Sequence, residues 1–221
     1  MGTNDTTGAG ASARREYERR RARDEAGIRA TWGEGRLGTL AVTLSGERQS
    51  TVAWRSGAVG EAAVGRALDA IASEHLVVLH DRRIRGTRGT RGNIDHVVIT
   101  RAGVWIVDAK RYRDKRPALR VEGGLVRPRE EKLIVGGSDH TKLVDGVLRQ
   151  VQLVSDLVGP VPVVGTLCFV DADWPMFGGA FTVRGVEVCW PRKLAKRLAA
   201  LDGQVDVAAV AVAVAEHFPP A

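Results

Sequence analysis

Residues 92–110 read GNIDHVVITRAGVWIVDAK, and the fold is decided by how that stretch is read. Two apolar runs, 94–99 and 104–107, flank Thr100-Arg101-Ala102-Gly103, a tetrapeptide suited to a tight turn, so the stretch predicts a β-hairpin. With Arg101-Ala102 as the loop, Thr100 pairs with Gly103, Ile99 with Val104 and Val97 with Ile106, and Asp95 falls opposite Asp108. Side chains alternate along a strand, so Asp95, Val97, Ile99, Val104, Ile106, Asp108 and Lys110 are expected on one face. Like charges in opposed positions destabilise a sheet, so a chain that keeps two carboxylates there is expected to hold a cation between them.

Working outward, a helix is expected over 51–73, with Trp54, Ala58, Glu61, Gly65, Leu68 and Ala72 on one face at spacings of three and four. Glu61 is the anomaly, because a carboxylate in a buried stripe needs a partner; an arginine salt bridge and a functional role both satisfy the pattern. A short apolar strand at 76–80 leads into a loop, RRIRGTRGTRG at 82–92, that carries Arg82, Arg83, Arg85, Arg88 and Arg91. Glycine and threonine between these charges suit a segment that moulds to phosphates on contact, and equally a solvated connection. Beyond the hairpin, 120–126 predicts a second hairpin turning at Gly123-Gly124. A helix follows at 141–158, closed by Gly159-Pro160, whose stripe Leu143, Val147, Gln150, Val154 and Leu157 is interrupted by Gln150. Strands at 161–169 and 182–188, a short basic helix at 193–201 and a helix over 204–217 complete the pattern.

Asp95 followed by Asp108-Ala109-Lys110 on the next strand resembles the D…(D/E)xK signature of the PD-(D/E)xK nuclease superfamily. Gly57-Ala58-Val59-Gly60-Glu61, Asn93-Ile94-Asp95-His96 and the Asp108–Lys110 strand, in that order, resemble the nuclease-related domain called NERD. The likeness covers roughly 57–170, and 171–201 more loosely. It implies a restriction-endonuclease-like α/β core, a mixed sheet flanked by helices, in agreement with the order α, β, ββ, α, β read from periodicity. It also implies catalytic roles for Glu61, Asp95, Asp108, Lys110 and Gln150, and a Mg²⁺ or Mn²⁺ ion on Asp95, Asp108 and Glu61. On this view Lys110 orients or deprotonates a water or offsets charge, and Gln150 orients Lys110 or the phosphate.

Charge agrees with a polyanionic partner. The chain carries a formal +7, and between residues 82 and 132 there are 15 Lys and Arg against 6 Asp and Glu, so the excess surrounds the candidate site. Arg111 stands next to Lys110 and joins the five loop arginines as a nucleic-acid contact. The two cysteines, Cys168 and Cys189, lack zinc spacing and suit free thiols in a reducing cytoplasm. No GxxxxGK[ST] phosphate loop or Ser/His/Asp arrangement competes, and the apolar run 207–215 is too short to span a bilayer. Residues 1–50 are expected as a basic extension, 1–12 as a disordered tail and 13–30 as a charged, solvated helix; 51–201 forms the core and 202–221 a helical segment. His96 is expected to pack, and His140 to lie at the surface.

Three functions fit these observations: a metal-dependent nuclease acting on DNA, a catalytically silent nucleic-acid-binding module of the same fold, and a basic scaffold. A homodimer is compatible with each, and the intact Asp95/Asp108/Lys110 set favours the first.

Overall fold

The computed structural model describes residues 8–32, 49–85, 92–124, 127–176 and 179–221, with backbone alone for residues 32 and 49–54. Helix α1 (Ala11–Trp32) leads to α2 (Gln49–Asp69), then strands β1 (Leu76–Ile84), β2 (Gly92–Thr100) and β3 (Gly103–Arg111). Strands β4 (Pro117–Glu122), β5 (Glu130–Val135) and β6 (Ser138–Asp139) precede α3 (Thr141–Val158). Strand β7 (Val163–Val170), the hairpin β8 (Phe181–Val183) and β9 (Val186–Cys189), α4 (Pro191–Leu198) and α5 (Val207–His217) complete the chain. A six-stranded sheet has the order β1-β2-β3-β7-β9-β8, and β4-β5-β6 form a second sheet. The large sheet is mixed: β3 runs parallel to β7 and β7 to β9, while the other neighbours are antiparallel. This is the α/β architecture that the pattern of elements predicts.

Helices cover both faces of that sheet. On one face Val64 and Leu68 of α2 and Leu194 and Leu198 of α4 pack on Val98, Trp105, Val107, Cys168 and Cys189. On the other, Val154 of α3 and Val207, Val214 and Phe218 of the α5 segment pack on Val97, Ile99, Val104 and Ile106. A strand covered twice must be apolar on both sides, which explains why 97–99 and 104–107 read as unbroken runs. The turn between β2 and β3 is held by Ala102 N–H donating to Thr100 Oγ1 at 3.1 Å. At Gly103, with φ 146°, a Cβ would stand 2.5 Å from the Pro162 carbonyl oxygen, so only glycine allows that close approach.

The β2–β3 register pairs Thr100 with Gly103, Ile99 with Val104 and Val97 with Ile106, as the hairpin reading requires, but the ladder stops at His96 and Val107. Further corrections concern boundaries. Strand β1 runs on to Ile84 and absorbs Arg82 and Arg83, which the sequence places in a loop. The last pair of the second hairpin is Glu122 with Glu130, so its strands do not close on a two-residue turn at Gly123-Gly124. The stretch 182–188 is two strands joined at Arg184-Gly185, where both residues take positive φ. Helix α2 ends at Asp69, leaving Ala72 exposed beyond it. Residues 8–12 are ordered and open α1, whose Ala13 is buried, so that part of the expected tail is structured. Residues 37–44, whose sequence suits a short strand, lie outside the described residues, as do the Trp54 side chain, Arg88 and Arg91. Cys168 and Cys189 are register partners on β7 and β9, both buried and both free.

Candidate active site

The site is built where β1 and β2 change face. In a regular strand residues i and i+2 point the same way. Here His80 bonds Asp69 of α2, whereas the Arg82 guanidinium reaches the carbonyls of Ala215 and Phe218 on the opposite side of the sheet. The inversion falls on Asp81, a non-glycine residue at φ 51°. Strand β2 inverts at the matching place. Ile94 packs with Val97 and Ile99, while His96 packs beside His80 under Gly65 of α2. His80 pairs with His96 and Arg82 with Ile94, leaving Asp81 and Asp95 at the break between those pairs.

The break corrects the expected shared face. The regular ladder ends one pair short of Asp95 and Asp108, and Asp95 Oδ2 accepts the Ala109 N–H at 2.9 Å. Asp108 instead pairs with Lys110, Oδ2 to Nζ at 2.6 Å, so the cation expected beside the carboxylates is in part the chain's own ammonium. Lys110 Nζ also lies 3.4 Å from the Ala109 carbonyl oxygen. Glu61, projecting from α2, closes the group: Glu61, Asp95, Ala109, Lys110, Arg111 and Tyr112 line one cavity of about 300 Å³ with Ser56 and Gly57.

The electrostatics are those of crowded acids. Burial first, and then the charges of Asp95 and Asp81, push the Glu61 carboxyl up to about 8. Burial and the charge of Asp108 push Asp95 up to about 7, against the opposing pull of Lys110 and the Ala109 amide. For Lys110, burial works against the charged form, but Asp108 and Asp95 outweigh it and the ammonium is held more firmly than usual. Two acids facing one cavity therefore lack full compensation at neutral pH. Their donor set is carboxylate oxygen plus the Ala109 carbonyl, which suits a hard dication that keeps several waters. Among the described residues no three His, Cys, Asp or Glu side chains are grouped to hold a metal ion, so Glu61, Asp95 and Asp108 do not form the three-carboxylate set expected from the sequence.

The remaining expected residues fall elsewhere. Gln150 donates its Nε2 to the Asn93 carbonyl at 3.4 Å, leaving its Oε1 buried without a partner, and it is not among the residues lining the cavity. Arg82 is a correction: only 1% exposed, with Nε on the Phe218 carbonyl at 2.7 Å and Nη2 on Ala215 at 3.1 Å, it anchors α5 and cannot meet a nucleic acid. Arg83 and Arg85 are exposed. Arg111 lines the cavity while its Nε donates to Asp171 Oδ2 at 2.7 Å. His96 packs as expected, its pKa lowered to about 3 by burial and by His80. His140, expected at the surface, is half-buried against Tyr112.

Sequence reasoning missed Asp81 and Ser12, and gave Asn93 no role beyond its place in the Asn93–His96 motif. Asp81 is 2% exposed, and its carboxylate accepts from Ser12 N–H and Ser12 Oγ–H at 2.7 Å each and from Asn93 Nδ2 at 3.0 Å. The available signal was a lone acid closing an apolar strand, which is too common to single out.

A mixed sheet sandwiched by helices, with acids and a lysine gathered where its central hairpin opens, defines a nuclease-like α/β core. The family model described as nuclease-related domain, NERD, matches residues 56–170, and the chain belongs to that family. No curated protein and no solved structure matches the chain. Among the described residues no helix is long and apolar enough to cross a membrane.

Proposed function

We propose that the protein is a metal-dependent nuclease that hydrolyses phosphodiester bonds of DNA. The observation that carries this reading is the meeting of Glu61, Asp95, Ala109 and Lys110 on one cavity of about 300 Å³. Glu61, Asp95 and the Ala109 carbonyl would hold Mg²⁺ or Mn²⁺, with Asp108 beside them. Such an ion, when bound, polarises a phosphate oxygen and lowers the pKa of a bound water. Because its acid neighbours hold the Lys110 proton firmly, the side chain acts as an ammonium that offsets charge in the transition state instead of as a base. Asp108 fixes where that ammonium stands. Arg111 shares the cavity wall and offers positive charge to a phosphate, while Arg83, Arg85, Arg88 and Arg91 supply contacts along the backbone. DNA is assigned on the kinship with nucleases alone.

The test is cleavage of supercoiled, linear and single-stranded DNA by wild type and Lys110→Met with Mg²⁺, Mn²⁺ or EDTA. Cleavage should require metal and fall by roughly 10²–10⁴-fold in the variant, the range of one positioned catalytic group. DNA affinity should fall by less than about tenfold, the worth of one ~1.4 kcal/mol contact. Cleavage indifferent to Lys110→Met would belong to a contaminant and sink the mechanism. A second reading, a binding module without catalysis, is favoured by the tight Lys110–Asp108 pair, and it requires DNA binding with no cleavage under any metal.

A further inference from the structure

Glu61 is held in an unusual way. No hydrogen bond or ion pair to its carboxylate is seen among the described residues, and only burial and neighbouring charges act on it. Packing therefore decides where it points. Against it stands the N-terminus of α1, which is not among the cavity-lining residues. A Cβ built on Gly10 would lie 3.3 Å from Glu61 Cβ, 3.5 Å from Glu61 Oε2 and 3.0 Å from the Ala58 carbonyl oxygen. Gly10 takes φ 74°, so both its conformation and its space call for glycine. Just before it, Ala9 seats on Gly65 of α2, where no side chain would fit.

What keeps that turn in place is polar. Both oxygens of Asp81 are engaged: Oδ2 accepts the Ser12 amide, and Oδ1 accepts the Ser12 hydroxyl and Asn93 Nδ2. Asn93 Nδ2 also reaches Ser12 Oγ at 3.0 Å. A carboxylate at a helix N-terminus answers both its free amides and its dipole. The latch joins the α1 N-terminus to the break in β1 and β2, two residues from Asp95 through Asn93. Beyond its first turn the charged helix pairs Arg20 and Arg19 with Glu16 and Arg21 with Glu25, and Arg15 Nη2 donates to the Ala221 carbonyl.

We propose that Asp81 is a positioning residue of the active site: by clamping Ser12 it presses the first turn of α1 against Glu61 and aims that carboxylate at the cavity. The helix is then a working part of the site, although it contributes none of the residues lining the cavity. With the latch open, the backbone at Gly10 withdraws and Glu61 can turn into the vacated space and be solvated. The role rests on the metal-dependent reading proposed above.

The experiment uses the full chain and two readouts, hydrogen exchange of amides in 8–20 and uptake of Mn²⁺ followed by the electron paramagnetic resonance of the unbound ion. Ser12→Ala removes both bonds of the Ser12 hydroxyl, to Asp81 and from Asn93, and Gly10→Ala pushes the turn off Glu61 without changing charge. Each should speed exchange in 8–20 by about tenfold, the loss of about 1.4 kcal/mol. Each should also raise the Mn²⁺ dissociation constant by about threefold or more, and Ser12→Thr, which keeps the hydroxyl, should restore both. Asp81→Asn, whose side chain tolerates the left-handed backbone, should act like Ser12→Ala. Faster exchange with Mn²⁺ affinity within about twofold of wild type would overturn the proposal and leave α1 a docked extension. Unchanged exchange would overturn the latch itself. Wild type that takes up no Mn²⁺ while α1 stays protected removes the metal reading and this role together. Uptake that survives Asp95→Asn places the ion elsewhere, with the same consequence.

Discussion

Replacing Glu61 with glutamine tests the crowding of acids without needing any activity. The sign follows from the direction of the shift. A carboxyl whose pKa is raised by folding binds its proton more tightly in the folded state, so it favours folding at low pH. That contribution fades as pH climbs from the ordinary carboxylate value toward the folded one. For Glu61 the window runs from 4.5 to about 8. At about 1.4 kcal/mol per unit, the displacement corresponds to at most about 5 kcal/mol. Asp95 shares the same cavity and titrates with it as a pair, and the cavity admits some screening water, so roughly half of that, ~2–3 kcal/mol, is the working magnitude. For a protein of this size each kcal/mol moves the melting temperature by about 2–4 °C, which gives ~5–10 °C.

The assay is thermal melting in EDTA at pH 5, 6, 7, 8 and 8.5 for wild type and Glu61→Gln. Glutamine keeps the shape and cannot ionise, so titrating groups remote from the cavity cancel in the difference between the two proteins, and what remains is the response of Glu61 together with Asp95. Wild type should lose ~5–10 °C relative to the variant as pH rises from 5 to 8.5. A difference that stays within about 2 °C across the range would mean that Glu61 is solvated and ionised throughout. That result would refute the geometry of the site, whatever the protein does to DNA.

Three further outcomes are expected. Millimolar Mn²⁺ should raise the melting temperature of wild type, by an amount equivalent to about 2.7 kcal/mol if the ion is at a hundred times its dissociation constant, and should not raise that of Asp95→Asn; equal increments in both would place the ion elsewhere. Alanine at Arg85, Arg88 and Arg91 should flatten the log–log salt dependence of duplex binding by ~0.9 per lost phosphate contact while leaving the melting temperature near wild type, and an unchanged slope would reduce the loop to a solvated connection. Arg82→Ala should cost about 3–5 kcal/mol of stability, because it leaves buried carbonyls of Ala215 and Phe218 without their charged donor; a loss under about 1 kcal/mol would contradict the anchoring role.

The parts of this fold that were legible in the sequence are those where local pattern and tertiary demand agree. The β2–β3 register followed from two apolar runs around Gly103, and α3 from a stripe closed by Gly159-Pro160, because burial on a fixed period leaves one solution for each. The site was legible only as a set of residue types. Strict alternation put Asp95 opposite Asp108, and alternation fails at the one place that matters. Asp81 takes a left-handed backbone that neither its own side chain nor its neighbours announce, and both strands change face there. The same event reassigns two charges. Arg82, one residue on, is thrown into the α5 side of the sheet and becomes an anchor, although composition grouped it with the loop arginines. Asp95, released from the ladder, turns to the Ala109 amide and to the cavity shared with Glu61. Partners separated by 69 residues, as Ser12 and Asp81 are, leave no periodic trace at all. A break in a strand pair is costly to maintain, since it forfeits ladder bonds and strains a non-glycine residue. In this chain the cost falls where buried Asp81 and half-buried Asp95 leave the ladder, and the latch on Asp81 contributes the polar bonds that offset it.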